Sequence, residues 1–86
     1  MRLDRYLSVA RIFKSRTLAS EAASSSMVFI DGLLAKPSSG IKIGSMIEID
    51  TPLFYKKIEV AEIPAGNIPK SKARDLYRLL QEREKD

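Results

Sequence analysis

Asp31-Gly32 divides the chain into two kinds of sequence. It stands between Val28-Phe29-Ile30 and Leu33-Leu34-Ala35, two short apolar runs. Asp-Gly supplies the positive φ angles of a tight primed turn, so residues 28–35 predict an antiparallel hairpin. What precedes the hairpin has helical spacing. Leu3, Tyr6, Leu7, Ala10 and Phe13 recur at i, i+3, i+4 and i+7, a helix with one buried stripe. Lys14-Ser15-Arg16-Thr17 breaks the pattern, and Ser15 or Thr17 can cap a second helix with the stripe Leu18, Ala19, Ala22, Ala23. That stripe is mostly alanine, so the two helices can approach closely, and Ser24-Ser25-Ser26 ends the second.

Beyond the hairpin the pattern is mainly strand. Pro37-Ser38-Ser39-Gly40 reads as a loop, and Ile41-Lys42-Ile43-Gly44 leads into Met46–Asp50, where Ile47 and Ile49 alternate with acids. Pro52 should end that strand. Lys56-Lys57 reads as an exposed turn, and Ile58-Glu59-Val60 alternates again. Residues 63–69 hold two prolines and a glycine and read as a connector. From Ser71, read as its N-cap, Ala73, Leu76, Tyr77 and Leu80 predict a terminal helix, with Arg78 and Glu82 paired at i, i+4 on its exposed side. The predicted class is α+β, with two antiparallel N-terminal helices packed on a small antiparallel sheet and a C-terminal helix. The predicted division is a domain over 1–63, with a connector and helix over 64–86 packing on that domain.

Charge singles out the start. The chain of 86 residues has a formal net charge of +4. Arg2, Arg5, Arg11, Lys14 and Arg16 face a single acid, Asp4, in the first sixteen residues, which therefore hold as much net positive charge as the whole chain. A folded basic face points to a phosphate-rich partner, whose binding gains free energy from counterion release. On a helical wheel Arg2 and Arg5 lie on one flank of the buried stripe and Arg11 on the other. The first helix alone does not gather the five charges. Lys14, Ser15 and Arg16 fall in the inter-helix turn, where arginine can meet phosphate bidentately and backbone N–H groups can contribute. Lys36 and Lys42 bracket the Pro-Ser-Ser-Gly loop.

Other chemistry is poorly represented. The chain has no cysteine and no histidine, which removes disulfides, thiolate metal sites and histidine acid–base catalysis. There is no Gly-rich phosphate loop, no metal-ligand spacing and no nucleophile motif. Glu48 and Asp50 share one strand face and read as its wet side. Phe54 and Tyr55 offer rings for base stacking, although most of the few aromatics are needed for the core. No catalytic residue, cofactor or metal is expected. No stretch approaches a membrane span, and the charged start does not fit a signal peptide, so the expected location is cytoplasmic.

Arg-Leu-Asp-Arg-Tyr-Leu (2–7), Ala-Arg-Ile-Phe-Lys-Ser-Arg-Thr-Leu-Ala (10–19), Ile-Asp-Gly (30–32), Lys-Pro-Ser (36–38) and Ile-Lys-Ile-Gly (41–44) form one ordered series. It closely resembles the S-four RNA-binding domain, also called the alpha-L motif, over about the first fifty residues. In that family the first helix, the inter-helix turn and the hairpin rim bind structured RNA. The resemblance implies RNA-binding roles for Arg2, Arg5, Arg11, Lys14, Ser15, Arg16, Thr17 and Lys36. It also implies a fold that brings the turn beside the first helix.

Ser26 stands where the family usually has a glycine, Met27 where a base is frequent, Asp31 for the usual Asn and Ser45 for the usual Asp. Many relatives attach this module to a catalytic body, and a stand-alone module is expected here. Ala73-Arg74-Asp75-Leu76-Tyr77 looks like the ending of the compact stand-alone members. One such group is the small heat-shock protein that binds large subunits carrying peptidyl-tRNA, usually with a longer basic tail. The other is the RqcP group of bacterial ribosome quality control, which length and ending favour. The resemblance implies as partners 23S rRNA of the large ribosomal subunit, peptidyl-tRNA and a tailing factor that recruits alanyl-tRNA. Competing readings are a protein-interaction module that works through the terminal helix and a generic RNA-binding module.

Overall fold

The computed structural model describes residues 1–66 and 68–86. Helices α1 (Leu3–Val9) and α2 (Arg16–Ser24) are followed by strands β1 (Val28–Ile30), β2 (Leu33–Leu34), β3 (Met46–Asp50) and β4 (Phe54–Val60). A 3₁₀ helix over Lys70–Leu76 and strand β5 (Tyr77–Glu84) complete the chain. All strand pairs are antiparallel, in the order β2-β1-β3-β4-β5. The α+β class is as expected. Of the predicted connector 63–69, Asn67 lies outside the described residues.

The helical stripe and the strand alternation meet in one core. Leu3, Tyr6 and Leu7 of α1 and Ala19, Ala22 and Ala23 of α2 are buried with Val28, Ile47, Ile49, Ile58, Val60 and Leu76. Small alanines let α2 lie close, at the cost of little buried area per residue. Leu18, expected in the stripe, is largely exposed. Asp31 and Gly32 have φ of 51° and 83°, the primed turn their types predict. Asp31 also ties the hairpin to β3, because its Oδ1 accepts from the Met46 N–H at 3.0 Å.

The tail departs from expectation. Only Lys70–Leu76 is helical, it is a 3₁₀ segment whose cap position is Pro69 rather than Ser71, and Tyr77–Glu84 is a strand. The apolar spacing fits either state, and the sheet decides. Without β5, the long strand β4 would leave its outer edge unpaired. Antiparallel register sets Tyr77 opposite Val60 and Leu79 opposite Ile58, and a bulge at the Lys57/Ile58 step absorbs Leu80. The charges then pair across strands instead of along a helix. Arg78 meets Glu59 at 3.5 Å and Glu82 meets Lys56 at 3.2 Å. Lys56 and Lys57 are therefore strand residues, both half-buried, and not an exposed turn.

The tail also reaches the helices. The Tyr6 hydroxyl donates to the Leu76 carbonyl at 2.6 Å across the buried core. Burial, with smaller contributions from Tyr77 and Glu62, pushes the Tyr6 phenol well above its ordinary range. Tyr6 thus serves as a neutral donor.

Ser26 has φ of 63° just past α2, the left-handed position where glycine carries no Cβ penalty. Ser26→Gly is expected to stabilise the fold by up to about 1 kcal/mol, read as a higher urea midpoint with unchanged slope. Tyr6→Phe should cost about 0.5–1.5 kcal/mol in the same assay, the net worth of one hydrogen bond, because the Leu76 carbonyl keeps the Ala61 and Glu62 N–H donors.

Candidate nucleic-acid interface

Asp4 is the lone acid of the basic segment, and it is only 3% exposed. It sits in the first turn of α1, where its Oδ1 accepts from the Arg5 backbone N–H at 2.7 Å and its charge complements the helix dipole. Two guanidinium groups converge on it. Arg2 donates from Nε to Oδ1 at 3.3 Å and from Nη2 to Oδ2 at 3.2 Å, a bidentate fork. Arg16, from the first turn of α2, places its Nε 3.4 Å from Oδ1. The fold therefore brings the start of α2 against the start of α1, which neither helix does alone. Both arginine side chains stay about half exposed, at 52% and 51%. Each retains N–H groups that face solvent.

A loop completes this end of the molecule. The first N–H groups of α1 are satisfied by backbone carbonyls, Leu3 by Ser39 at 2.8 Å and Asp4 by Pro37 at 3.1 Å. The loop is closed on itself, because the Ser39 Oγ accepts from the Lys36 N–H at 2.8 Å. Arg2 bridges to Gly40, at the end of the same loop that carries the exposed Lys36. Ser45 performs the same closure in the next loop, with its Oγ accepting from the Lys42 N–H at 3.1 Å.

The remaining predicted residues divide. Ser15 is the N-cap of α2 and accepts from the Leu18 N–H at 3.2 Å, while Thr17 is an exposed first-turn residue. Arg5 and Lys14 are exposed. Arg11 does not join the Asp4 cluster. It follows the C-cap of α1 with φ of 61° and lines a separate cavity with Ser8, Val9 and Ile68. A non-glycine residue there costs roughly 1–2 kcal/mol.

The hairpin adds apolar surface and no base, since Leu33 and Leu34 are exposed and Met27 packs against the core. The two rings considered for stacking are engaged. Phe54 lies 6.2 Å from Phe13, and the Tyr55 hydroxyl donates to Glu48 at 2.5 Å while Arg83 covers the ring. The Glu48 hydrogen bond, followed by burial and nearby acids, holds the Tyr55 phenol above its ordinary range. Among the described residues there is no cluster of three potential metal ligands, and no helix is long and apolar enough to cross a membrane. Asp4 itself was missed as a site residue. Its signal is its isolation, one carboxylate between Arg2 and Arg5 at a helix start.

No protein-family model matches the chain. Over 88 residues it is 38% identical to the RQC P-site tRNA stabilizing factor of Listeria innocua, covering all of this chain and 92% of that relative. The same-named protein of Bacillus subtilis is 35% identical over 82 residues, covering 95% and 94%. The chain belongs to this family. The RQC P-site tRNA stabilizing factors are the RqcP group that its residues resemble. A solved trimeric structure of Vibrio cholerae heat shock protein 15 superposes with a TM-score of 0.84 at 32% identity, over 93% of this chain and 81% of that one. The family assignment and the S-four-type fold thus agree.

Asp4→Asn keeps an acceptor for the Arg5 N–H but removes the charge that gathers Arg2 and Arg16. It is expected to lower stability by roughly 1–2 kcal/mol in urea unfolding. A double-mutant cycle of Asp4→Asn with Arg16→Gln should show coupling, and strict additivity would mean the contact contributes nothing.

Proposed function

We propose that the chain is a non-enzymatic RNA-binding factor that holds 23S rRNA of the large ribosomal subunit and peptidyl-tRNA together in stalled complexes. In that role it supports C-terminal alanine tailing by a factor that recruits alanyl-tRNA, in the cytoplasm where ribosomes work. The observation that carries the RNA-binding reading is the Asp4-anchored pair of half-exposed guanidiniums from two different helices. Such a pair is pre-organised for phosphate, so less side-chain entropy is lost on binding. The choice of RNA rests on full-length relatives named for stabilizing P-site tRNA in RQC. Arg2, Arg5, Arg11, Lys14, Arg16 and Lys36 would neutralise phosphates, with Ser15 and Thr17 setting the turn.

A heat-shock-type role in recycling large subunits that carry nascent chains is favoured by the likeness to Vibrio cholerae heat shock protein 15. It uses the same basic face and differs in its consequence. Loss of the chain abolishes alanine tailing on the first reading and spares it on the second. The interaction-module reading loses its basis, because the segment it relied on is mostly strand β5.

Purified protein and large subunits carrying P-site tRNA test the proposal by co-sedimentation over a salt series. Contact with four to six phosphates predicts a log–log slope on the order of −3 to −5. A near-flat slope contradicts the mechanism. Arg16→Gln should reduce association about tenfold or more while the fold persists. Charge reversal at Arg16 is the wrong variant, since it would set a second carboxylate against buried Asp4.

A further inference from the structure

Three of the six basic residues over 70–86 are engaged, Arg83 over the Tyr55 ring and two in ion pairs. Arg78 pairs with Glu59 and Lys85 with Asp50, while Glu82 takes up Lys56 of β4. Lys70, Lys72 and Arg74 are different. All three are exposed on the 3₁₀ helix, and none has an ion pair among the described residues. The local acids are Glu82, which lines a cavity with Arg74, and Asp75 and Glu62, which line a cavity of about 380 Å³ with Ile68 and Lys72. Ile68 is shared with the cavity of about 330 Å³ that holds Arg11. Arg11 and Lys72 therefore line two cavities that share one residue.

Arg11 strengthens the case independently. It occupies the left-handed position after α1, where glycine is the unstrained choice, and a glycine would offer no cation. Like Lys14, this arginine makes no ion pair with Asp4 among the described residues. The 3₁₀ helix is fixed to α1, because Tyr6 donates to Leu76 and Ala73 and Leu76 are buried. Cations on a fixed segment, with bases outnumbering acids, suit a phosphate backbone and have no need of base-specific contacts.

We propose that Arg11, Lys70 and Lys72, with Arg74 at the margin, form a second phosphate-binding surface that takes a different RNA segment from the one met by Arg2 and Arg16. This rests on the RNA-binding reading above and assigns it a second contact. One small chain then touches two RNA segments through opposite ends of α1, the Asp4 end and the Arg11 end.

The test is the salt dependence of binding to purified large subunits carrying P-site tRNA, for wild type, Lys70→Gln/Lys72→Gln and Arg2→Gln/Arg16→Gln. Circular dichroism melting confirms that each variant is folded. The Lys70→Gln/Lys72→Gln pair should make the slope shallower by about 1.5–2, and the two pairs should be additive. An unchanged slope for that pair, with the Arg2→Gln/Arg16→Gln effect intact, overturns the second surface alone. A wild type without salt dependence overturns the RNA-binding reading beneath it. As a second readout, photo-crosslinkers placed at positions 72 and 14 should capture different RNA segments. Capture of the same segment overturns the two-segment arrangement.

Discussion

A carboxylate removed from water must be compensated, and in this chain the compensation shapes the functional face. Asp4 is almost fully buried, and its oxygens are met by the Arg5 N–H, the Arg2 fork and Arg16. An uncompensated charge there would be costly, so the start of α2 is held against the start of α1. The same contact offsets the repulsion between two guanidiniums that RNA binding needs close together. Because both remain half exposed, satisfying Asp4 leaves them donors for a second anion.

The rest of the fold keeps that arrangement in place. The loop of Pro37 and Ser39 satisfies the first N–H groups of α1, and Tyr6 anchors the same helix to the Leu76 carbonyl. One seven-residue helix is thus fixed at its start by a loop from the middle of the chain and at its centre by the tail. A helix this short would be marginal in isolation. Tertiary contacts supply its rigidity, and rigidity lets a few charges act at defined spacing. The tail does so as a strand, adding β5 to β4 and aligning Arg78 and Glu82 with acid and base across the sheet.

Much of this was legible in the residues. The hairpin turn at Asp31-Gly32, the α1 stripe and the Ser15 cap each follow from local chemistry that needs no partner, whereas the left-handed position of Ser26 shows only through the glycine its relatives usually have. The tail was not legible, because Leu76, Tyr77 and Leu80 fit helical spacing while a bulge hides the strand period. Only β4's unpaired edge decides between them. Lys56 and Lys57 were misplaced because their strand is set by pairing with β3, opposite Ile49 and Glu48, as well as with β5. The basic residues were evident, but their grouping was not. A wheel cannot show that Asp4 joins Arg2 to Arg16 or that Arg11 turns toward Ile68.

The central claim is that Asp4 presents Arg2 and Arg16 to RNA phosphate as one unit. A structure of this protein bound to large ribosomal subunits carrying P-site tRNA tests it most directly. The account predicts both guanidiniums within hydrogen-bonding distance of RNA phosphate oxygens, with their contacts to Asp4 retained. A complex in which Arg2 and Arg16 face solvent, or leave Asp4 to reach the RNA separately, would contradict it.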